Sequence, residues 1–403
     1  MDIEEKINLV KRSPTEEIIQ EQELNHLFQT NNAPKHYLGI ELSGILHIGS
    51  LLITGFKIND FIKAGLKTSV YLADWHSFIN NKFHGNWNEI QKIIKYYDEA
   101  FRFFCPGVQI IQSEELYHNN DNYWKNFIQF SKHMTLPRAV RCLTIMGRNE
   151  KDQLDLAQYL YPSMQAVDIK ELDLDIVHAG TDQRKIHMLV REVFPKLKWK
   201  VPVAVHHHLI PGLGTNSIQS NSTASNRIDT NSNPKIFSKM SKSEPMKSIF
   251  IHDSEEVIMN KMKVAWAPMG VIENNPILEY VKYLIFHEFD SFNVERPSKY
   301  GGDVSFSDYV ELEREYKNGN IHPLDLKLAV GKKIDYLLIE TLNRYTGKAI
   351  TVIVAKDLAS KYFSTENGAL KFKDFKTSSS VFSVSICSLA SPNGELSASR
   401  MLV

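Results

Sequence analysis

Residues 37–74 read YLGIELSGILHIGSLLITGFKINDFIKAGLKTSVYLAD, and this stretch decides the fold. Tyr37-Leu38-Gly39-Ile40 is a short apolar strand and Ser43-Gly44 a turn. From Ile48 to Ala64, apolar or small residues fall at 48, 51, 52, 55, 58 and 62, the spacing of one helix face. Gly65 stands just past that helix, where a left-handed backbone suits glycine. Ser69-Val70-Tyr71-Leu72-Ala73 follows as a buried strand with Asp74 at its carboxyl end, completing a βαβ unit. Further along, Ile176–Gly180 and Pro202–Val205 read as two more strands, with a helix over about 182–193 between them. Strands alternating with helices predict an α/β fold with a doubly wound parallel sheet, whose ligands sit beyond the carboxyl ends of the strands.

The rest of the chain sets the limits. Its 403 residues are 43% hydrophobic and 23% charged, ordinary for a soluble globular protein with room for two domains. No run approaches 18 apolar residues, and the polar, acidic start lacks the apolar core of a secretion signal, so no membrane partner is expected. Cys105, Cys142 and Cys387 share no metal-ligand spacing and form no disulfide framework, which suits a reducing cytoplasm and gives no structural metal. Lysine plus arginine and aspartate plus glutamate both number 47, so any binding of RNA needs local positive charge. Arg138/Arg141/Arg148, Arg184/Lys185, Lys196/Lys198/Lys200 and Lys332/Lys333 are candidate patches, or merely solvated faces.

Residues 1–30 read as a charged helical lead-in, with Ser13 or Thr15 placed to cap a helix before the run of glutamates. Residues 214–235, GTNSIQSNSTASNRIDTNSNPK, predict a disordered insertion. From about 254 to 347 the pattern is helical without a convincing strand, and the Ser-rich end past 377 reads as a loose tail. The expected domains are 1–235 (catalytic, with the insertion), 236–253 (a loop linker), 254–350 (α-helical) and 351–403 (an extension, partly disordered).

Two segments carry chemistry. His47-Ile48-Gly49-Ser50 lies where the first strand meets its helix, a place that offers N–H donors and partial positive charge to a phosphate. His47 can donate to that phosphate, and Gly49 leaves room for an adenine ring. A lone H-x-G is weak, and such a histidine is usually structural. Lys239-Met240-Ser241-Lys242-Ser243 puts two cations and two hydroxyls beside a flexible stretch, as a mobile clamp on a triphosphate requires; a basic surface loop is the plainer reading. Between them, Tyr161, Gln165 and Asp168 fall at i, i+4 and i+7, on one helix face, able to converge on a small ligand or simply to form a polar face.

The paired segments resemble the two signature motifs of class I aminoacyl-tRNA synthetases. The second matches at every letter; in the first, Ser50 replaces the usual second histidine. Tyr161-Pro162-Ser163-Met164-Gln165-Ala166-Val167-Asp168, Tyr37, and the run Gly180–His187 (GTDQRKIH) are similar to the tyrosyl branch of archaeal and eukaryotic type. The resemblance implies a Rossmann-like catalytic sheet followed by an α-helical anticodon-binding domain. It implies ATP with Mg²⁺, L-tyrosine and tRNA(Tyr) as substrates, and a homodimer. Tyr37 and Asp168 would then bond the phenolic hydroxyl, and Tyr161, Gln165 and Gln183 the ammonium group and backbone. His47, Ser50, Lys239 and Lys242 would act on ATP, with Gly49, Met240, Ser241 and Ser243 completing its site. Buried groups that must bond a phenol reject phenylalanine, and tyrosyl enzymes are themselves the known example of this. Ala265–Gly270 and Asn275-Pro276 resemble the linker into the anticodon domain, and Arg296–Asp303 and His322–Lys327 its reading pieces. Tyr300, His322, Pro323 and Asp325 would meet the anticodon, and Arg138 and Arg184 the acceptor end.

Three rivals remain at this point. A tryptophan enzyme shares fold and motifs but is not expected to show Tyr37 with Asp168. An inactive tRNA-binding paralogue is favoured only by Ser50 and the insertion, and a small-molecule adenylyltransferase would not need the helical part.

Overall fold

Six strands build one sheet: β1 (Thr15–Ile19), β2 (Lys35–Glu41), β3 (Lys67–Ala73), β4 (Gln109–Gln112), β5 (Ile176–Gly180) and β6 (Val203–His207). Their order is β1-β6-β5-β2-β3-β4, parallel except that β1 runs antiparallel to β6 at the edge. This computed structural model describes residues 1–148, 152–214, 239–242, 244–346, 363–366 and 369–372. From β2 the chain winds outward through β3 and β4, then returns to the other side of β2 through β5 and β6. The winding therefore reverses between β2 and β5, and a crevice opens at that point in such sheets. β5 and β6 are buried at every position, and β3 at all but its first, so each carries an apolar stretch (Val70–Ala73, Ile176-Val177 and Val203–Val205) beside buried polar residues such as Ser69, His178 and His206.

The helix Thr54–Lys63 covers β2 and β3 and ends at Gly65, whose φ of +85° fits the expected left-handed stop. Leu156–Glu171 begins with a reciprocal cap, Asp155 accepting from the Gln158 N–H while the Gln158 side chain accepts from Asp155 N–H. That cap fixes the phase of the helix, so that Tyr161, Gln165 and Asp168 all face one cavity.

Several expectations are corrected. Residues 1–30 are not one helical lead-in: helices Ile3–Lys11 and Glu21–Thr30 flank β1. Neither Ser13 nor Thr15 caps a helix, because Thr15 opens β1 and its hydroxyl donates to the Val10 carbonyl at 2.8 Å; Asp2 caps Ile3–Lys11, and Glu21–Thr30 starts without a side-chain cap. The first motif's helix opens with a π-turn, Gly49–Ile53. Residues 254–347 are mainly helical but hold a short antiparallel pair, β7 (Phe292–Val294) and β8 (Val304–Phe306). The chain divides into units 1–358 and 359–403; in the second, strands Phe363–Glu366 and Ala369–Phe372 pair antiparallel. The proposed disordered insertion, apart from Gly214, lies outside the described residues, as do Ser243 and most of the tail.

Candidate active site

A cavity of about 660 Å³ opens at the carboxyl ends of β2, β3, β5 and β6. It brings together Tyr37, His47, Gly49, Ser50, Tyr161, Gln165, Asp168, Gln183, Lys239, Met240, Ser241 and Lys242, residues drawn from four separate stretches of sequence. Arg138, Arg184, Tyr300, His322, Pro323 and Asp325 are not among its walls.

Consider the first motif. Its backbone is stitched to the segment after the lysine loop: Ile48 N–H donates to the Ile249 carbonyl at 3.0 Å, and Ile251 N–H to that of Leu46 at 3.1 Å. His47 N–H donates to Ser50 Oγ at 2.9 Å, and the Ser50 hydroxyl donates back to the His47 carbonyl at 2.9 Å. Ser50 N–H reaches His47 Nδ1 at 3.2 Å. The N–H groups of residues 47, 48 and 50 are thus engaged, which corrects the expectation of free donors at this helix start. The tight π-turn and the pairing with 249–251 absorb them. Burial first, then the charges of Lys242 and Lys239, lowers the His47 pKa to about 3, so the ring is neutral near pH 7. With Nδ1 accepting, its proton resides on Nε2, the donor left for a ligand. A Cβ at Gly49 would lie 3.2 Å from this ring and 3.1 Å from Ile210, so glycine keeps the imidazole in place.

The lysine loop docks beside this turn. Met240 N–H donates to the Ile210 carbonyl at 3.0 Å, and Lys239 forms an antiparallel bridge with Pro211. Lys239 Nζ meets Asp182 Oδ2 at 2.5 Å; burial works against its charge, but Asp182 prevails and raises its pKa. Lys242 Nζ donates to Ser43 Oγ at 2.9 Å and Tyr97 Oη at 2.8 Å. Burial, with Lys82 and Lys239 nearby, pushes its pKa down to about 7. Gly44 makes the turn beneath it at φ +109°, a conformation that side chains resist. Both cations are therefore held by ligands that a phosphate can displace.

A second cluster surrounds Asp168, which is only 1% exposed. Its carboxylate accepts from Tyr117 at 3.0 Å and Tyr123 at 2.9 Å, while Tyr71 donates to Tyr117 at 3.1 Å. Burial pushes the Asp168 pKa up to about 8, against the pull of these hydroxyls. Tyr37, 2% exposed, has its own hydroxyl pKa raised by burial and then by Asp168. Nearby, Tyr161 donates to Glu41 at 2.8 Å, Gln165 to Gln183 at 3.2 Å and Gln183 to the Ile145 carbonyl at 2.7 Å. Gln165 Oε1 is buried without a partner, an acceptor suited to an ammonium group.

Sequence reasoning missed several of these residues. Glu41 had a signal, since it shares a strand face with Tyr37 and Gly39. Asp182 stood inside the quoted GTDQRKIH run without being singled out. Tyr71, Tyr117, Tyr123 and His76, whose Nε2 lies 3.6 Å from Asp168 Oδ2, had none, because their connection to Asp168 is wholly tertiary.

The remaining expected residues lie on the surface. Arg138 is paired with Glu192, and Arg184 with Glu17 at 2.9 Å. Tyr300 is 62% exposed, with Lys299 Nζ 4.8 Å from its ring centroid. His322 Nδ1 accepts from the Leu324 N–H at 3.2 Å, closing the start of the helix Pro323–Thr346, whose first turn holds Asp325. Arg296, quoted within its run but not singled out, donates to the Gly302 carbonyl and to that of Asn320, each at 2.8 Å, and so ties the Tyr300 turn to the chain just before His322.

Residues 29–338 match the family described as tRNA synthetases class I (W and Y). A tyrosine–tRNA ligase of Pyrococcus horikoshii is 42% identical over 369 residues, covering 86% of this chain and 96% of the relative. The crystal structure of a tyrosyl-tRNA synthetase complexed with L-tyrosine, also from Pyrococcus horikoshii, superposes with a TM-score of 0.78 at 40% identity, covering 89% of this chain and all (100%) of that one. A second such complex, from Archaeoglobus fulgidus, gives 0.73 at 34% identity over 85% of this chain and 99% of its own. With the motifs, the sheet order and these likenesses in agreement, the chain belongs to the class I aminoacyl-tRNA synthetases of the tryptophan and tyrosine group, within the tyrosine–tRNA ligase family.

Proposed function

We propose that this chain is an enzyme that joins L-tyrosine to tRNA(Tyr) in two steps. The carboxylate of tyrosine attacks the α-phosphate of ATP, taken as its magnesium salt, and pyrophosphate leaves. A hydroxyl of the tRNA's terminal ribose then attacks the resulting tyrosyl-adenylate, taking the tyrosyl group and releasing AMP. The carboxylate is already a nucleophile, so the first step needs alignment and charge stabilisation rather than a strong base. No covalent intermediate with the protein is required.

The observation that carries this reading is that one cavity joins the Asp168 cluster to the pair Lys239 and Lys242. Asp168 and Tyr37 bind the phenol, and the unpaired Gln165 Oε1, with Gln183, Tyr161 and the missed Glu41, takes the ammonium group. Lys239 and Lys242 exchange Asp182, Ser43 and Tyr97 for the phosphates, while His47 donates from Nε2. Gly49, Ser50, Met240 and Ser241 complete the nucleotide site, with Ser243 beside them in sequence. Since Ser50 already closes on His47, the lysines carry most of the charge stabilisation.

For tRNA, the exposed ring of Tyr300 is able to stack on an unpaired base, with His322, Pro323 and Asp325 beside it at the anticodon and Arg138 and Arg184 at the acceptor end. The domain division runs 1–235, 236–253, 254–350 and 351–403. A homodimer is part of the proposal, supported by exposed Trp124, Ile128 and Leu136. A reducing cytoplasm suits the free, buried Cys105 and Cys142.

Aminoacylation of an archaeal-type tRNA(Tyr) with tyrosine, phenylalanine and tryptophan in parallel is the test. Charging with tyrosine alone is expected. A folded protein without tyrosine-dependent ATP–pyrophosphate exchange refutes the assignment.

A further inference from the structure

Immediately after β6 stands His208, a side chain that the proposed chemistry leaves unused. Its Nε2 lies 2.8 Å from Glu279 Oε2, and its Nδ1 is paired with Glu16. The ring lies flat on that of Tyr283, with centroids 4.0 Å apart and planes 16° from parallel. A carboxylate only accepts hydrogen bonds, so a ring facing one on each nitrogen carries both protons and a positive charge. Burial alone would strip a proton, but Glu16 and Glu279 push the pKa up to about 9. Other titratable groups around this junction include His207, at the end of β6, Lys282, beside Tyr283 and near Glu16, and Tyr309, near Glu279 and Tyr283. The imidazolium thus joins the edge strand β1, the end of β6 and the segment Pro276–Ile285.

That junction borders the cavity, which His208 itself lines, and it adjoins the lysine loop. Two residues past His208, the Ile210 carbonyl receives Met240 N–H, and Pro211 bridges Lys239. The Tyr280 hydroxyl donates to the Pro211 carbonyl at 2.8 Å. Residues 208–211, on which the loop docks, are therefore gripped by Glu279, Tyr280 and Tyr283. The π-turn Val281–Ile285 in that same segment packs against the π-turn of the first motif, Gly49–Ile53. Both ATP motifs thus rest on one piece of the helical part.

We propose that His208 is a positioning residue for adenylate formation: as a cation clasped between Glu16 and Glu279, it fixes residues 208–211 and so sets where Lys239 meets the phosphates of ATP. The assignment rests on the ligase reading above. Replacing the cation by a neutral group leaves two carboxylates facing each other, and the strand exit shifts to separate them. A displacement on the scale of 1 Å at a phosphate clamp is enough to slow catalysis by one to two orders of magnitude.

The test measures tyrosine-dependent ATP–pyrophosphate exchange in the full chain for His208→Gln, Glu279→Gln and the charge-keeping His208→Lys. For His208→Gln, kcat is expected to fall by about tenfold or more while KM for tyrosine stays within about twofold. His208→Lys should recover most of the loss, whereas a purely structural role would not distinguish it from glutamine. Glu279→Gln, which removes one carboxylate and leaves the histidine, should lose less than His208→Gln, and decides the matter if that variant fails to fold. Unchanged kcat in a folded variant, a parallel loss of tyrosine affinity, or no rescue by lysine overturns the proposal. If the wild-type chain itself shows no exchange, the ligase reading fails on its own. MgATP affinity by calorimetry then decides the clasp, with weakening in His208→Gln supporting it and equal affinity overturning it.

Discussion

Replacing Asp168 by alanine removes a carboxylate that accepts from Tyr117 and Tyr123 and, in the proposed complex, from the substrate phenol. With the assay held above about pH 8, where Asp168 is ionised, a hydrogen bond to this charged group contributes about 1.5–3 kcal/mol net. At about 1.4 kcal/mol per factor of ten, its loss lowers kcat/KM for tyrosine by roughly ten- to 150-fold. The two tyrosine hydroxyls keep only longer contacts, Tyr123 to the Met164 carbonyl at 3.3 Å and Tyr117 to His76 Nδ1 at 3.4 Å. Losing the carboxylate therefore adds up to about 1–3 kcal/mol for each to the cost in stability, and the variant must first be shown to fold. Asp168→Asn is the cleaner partner, because it keeps a carbonyl oxygen for Tyr117 or Tyr123 while losing the charge.

Phenylalanine has no hydroxyl to lose, so its kcat/KM should move little and the preference for tyrosine should fall by nearly the whole factor. The lysines bond Asp182, Ser43 and Tyr97, none of which touches Asp168, so KM for ATP should stay within about twofold. Exchange assays that vary tyrosine, phenylalanine and ATP in turn measure all three quantities. An equal loss toward ATP, or an unaltered preference for tyrosine over phenylalanine, refutes the placement of Asp168 at the phenol.

Protonation gives Asp168 a second signature. Burial raises its pKa from 3.8 to about 8, so its contribution to stability is fully present below 3.8 and lost as the pH rises through 8. Asp168→Asn cannot ionise, and its thermal midpoint should gain on the wild type as the pH rises from about 4 to about 8. Lys242, with its pKa pushed down to about 7, must take up a proton to meet the triphosphate at higher pH. ATP affinity should therefore fall as the pH rises through about 7–8, with proton uptake visible by calorimetry in buffers of different ionisation heat, and Lys242→Arg should flatten the profile. The ammonium of Lys57, fully buried, donates to the carbonyls of Leu9 at 2.8 Å, Val10 at 3.1 Å and Arg12 at 3.0 Å, and pairs with Asp60 at 3.2 Å. Lys57→Met should cost about 3–5 kcal/mol in denaturant unfolding; a cost below about 1 kcal/mol contradicts the pairing. A Cβ on Gly55 would lie 2.3 Å from Phe104 Cδ1, so Gly55→Ala should cost about 1–3 kcal/mol, read as a lower thermal midpoint.

The parts of the fold legible in the sequence are those whose evidence is local. β3, β5 and β6 are buried on both faces and leave apolar runs, and Gly65 marks a helix end by itself. β1 left no such trace, because Thr15–Ile19 is a partly exposed edge whose reason to be a strand is His207–Ala204, nearly 190 residues away. β7 and β8, at three residues each, are too short to show a period of two. The site divides in the same way. Each motif is contiguous and could be read alone, but what a motif residue bonds to was not in the motif. Ser50 is the sharpest case. Its residue type suggests a phosphate donor, yet the π-turn folds its hydroxyl onto the His47 carbonyl and its N–H onto the His47 ring. A serine that orients the histidine through its own backbone acts on that ring whether or not it touches ATP. The departure from the usual second histidine therefore removes one imidazole donor from the phosphates while holding the remaining imidazole to a single tautomer. On the proposed reading, that loss is what places Lys239 and Lys242, and whatever positions them, at the centre of the chemistry.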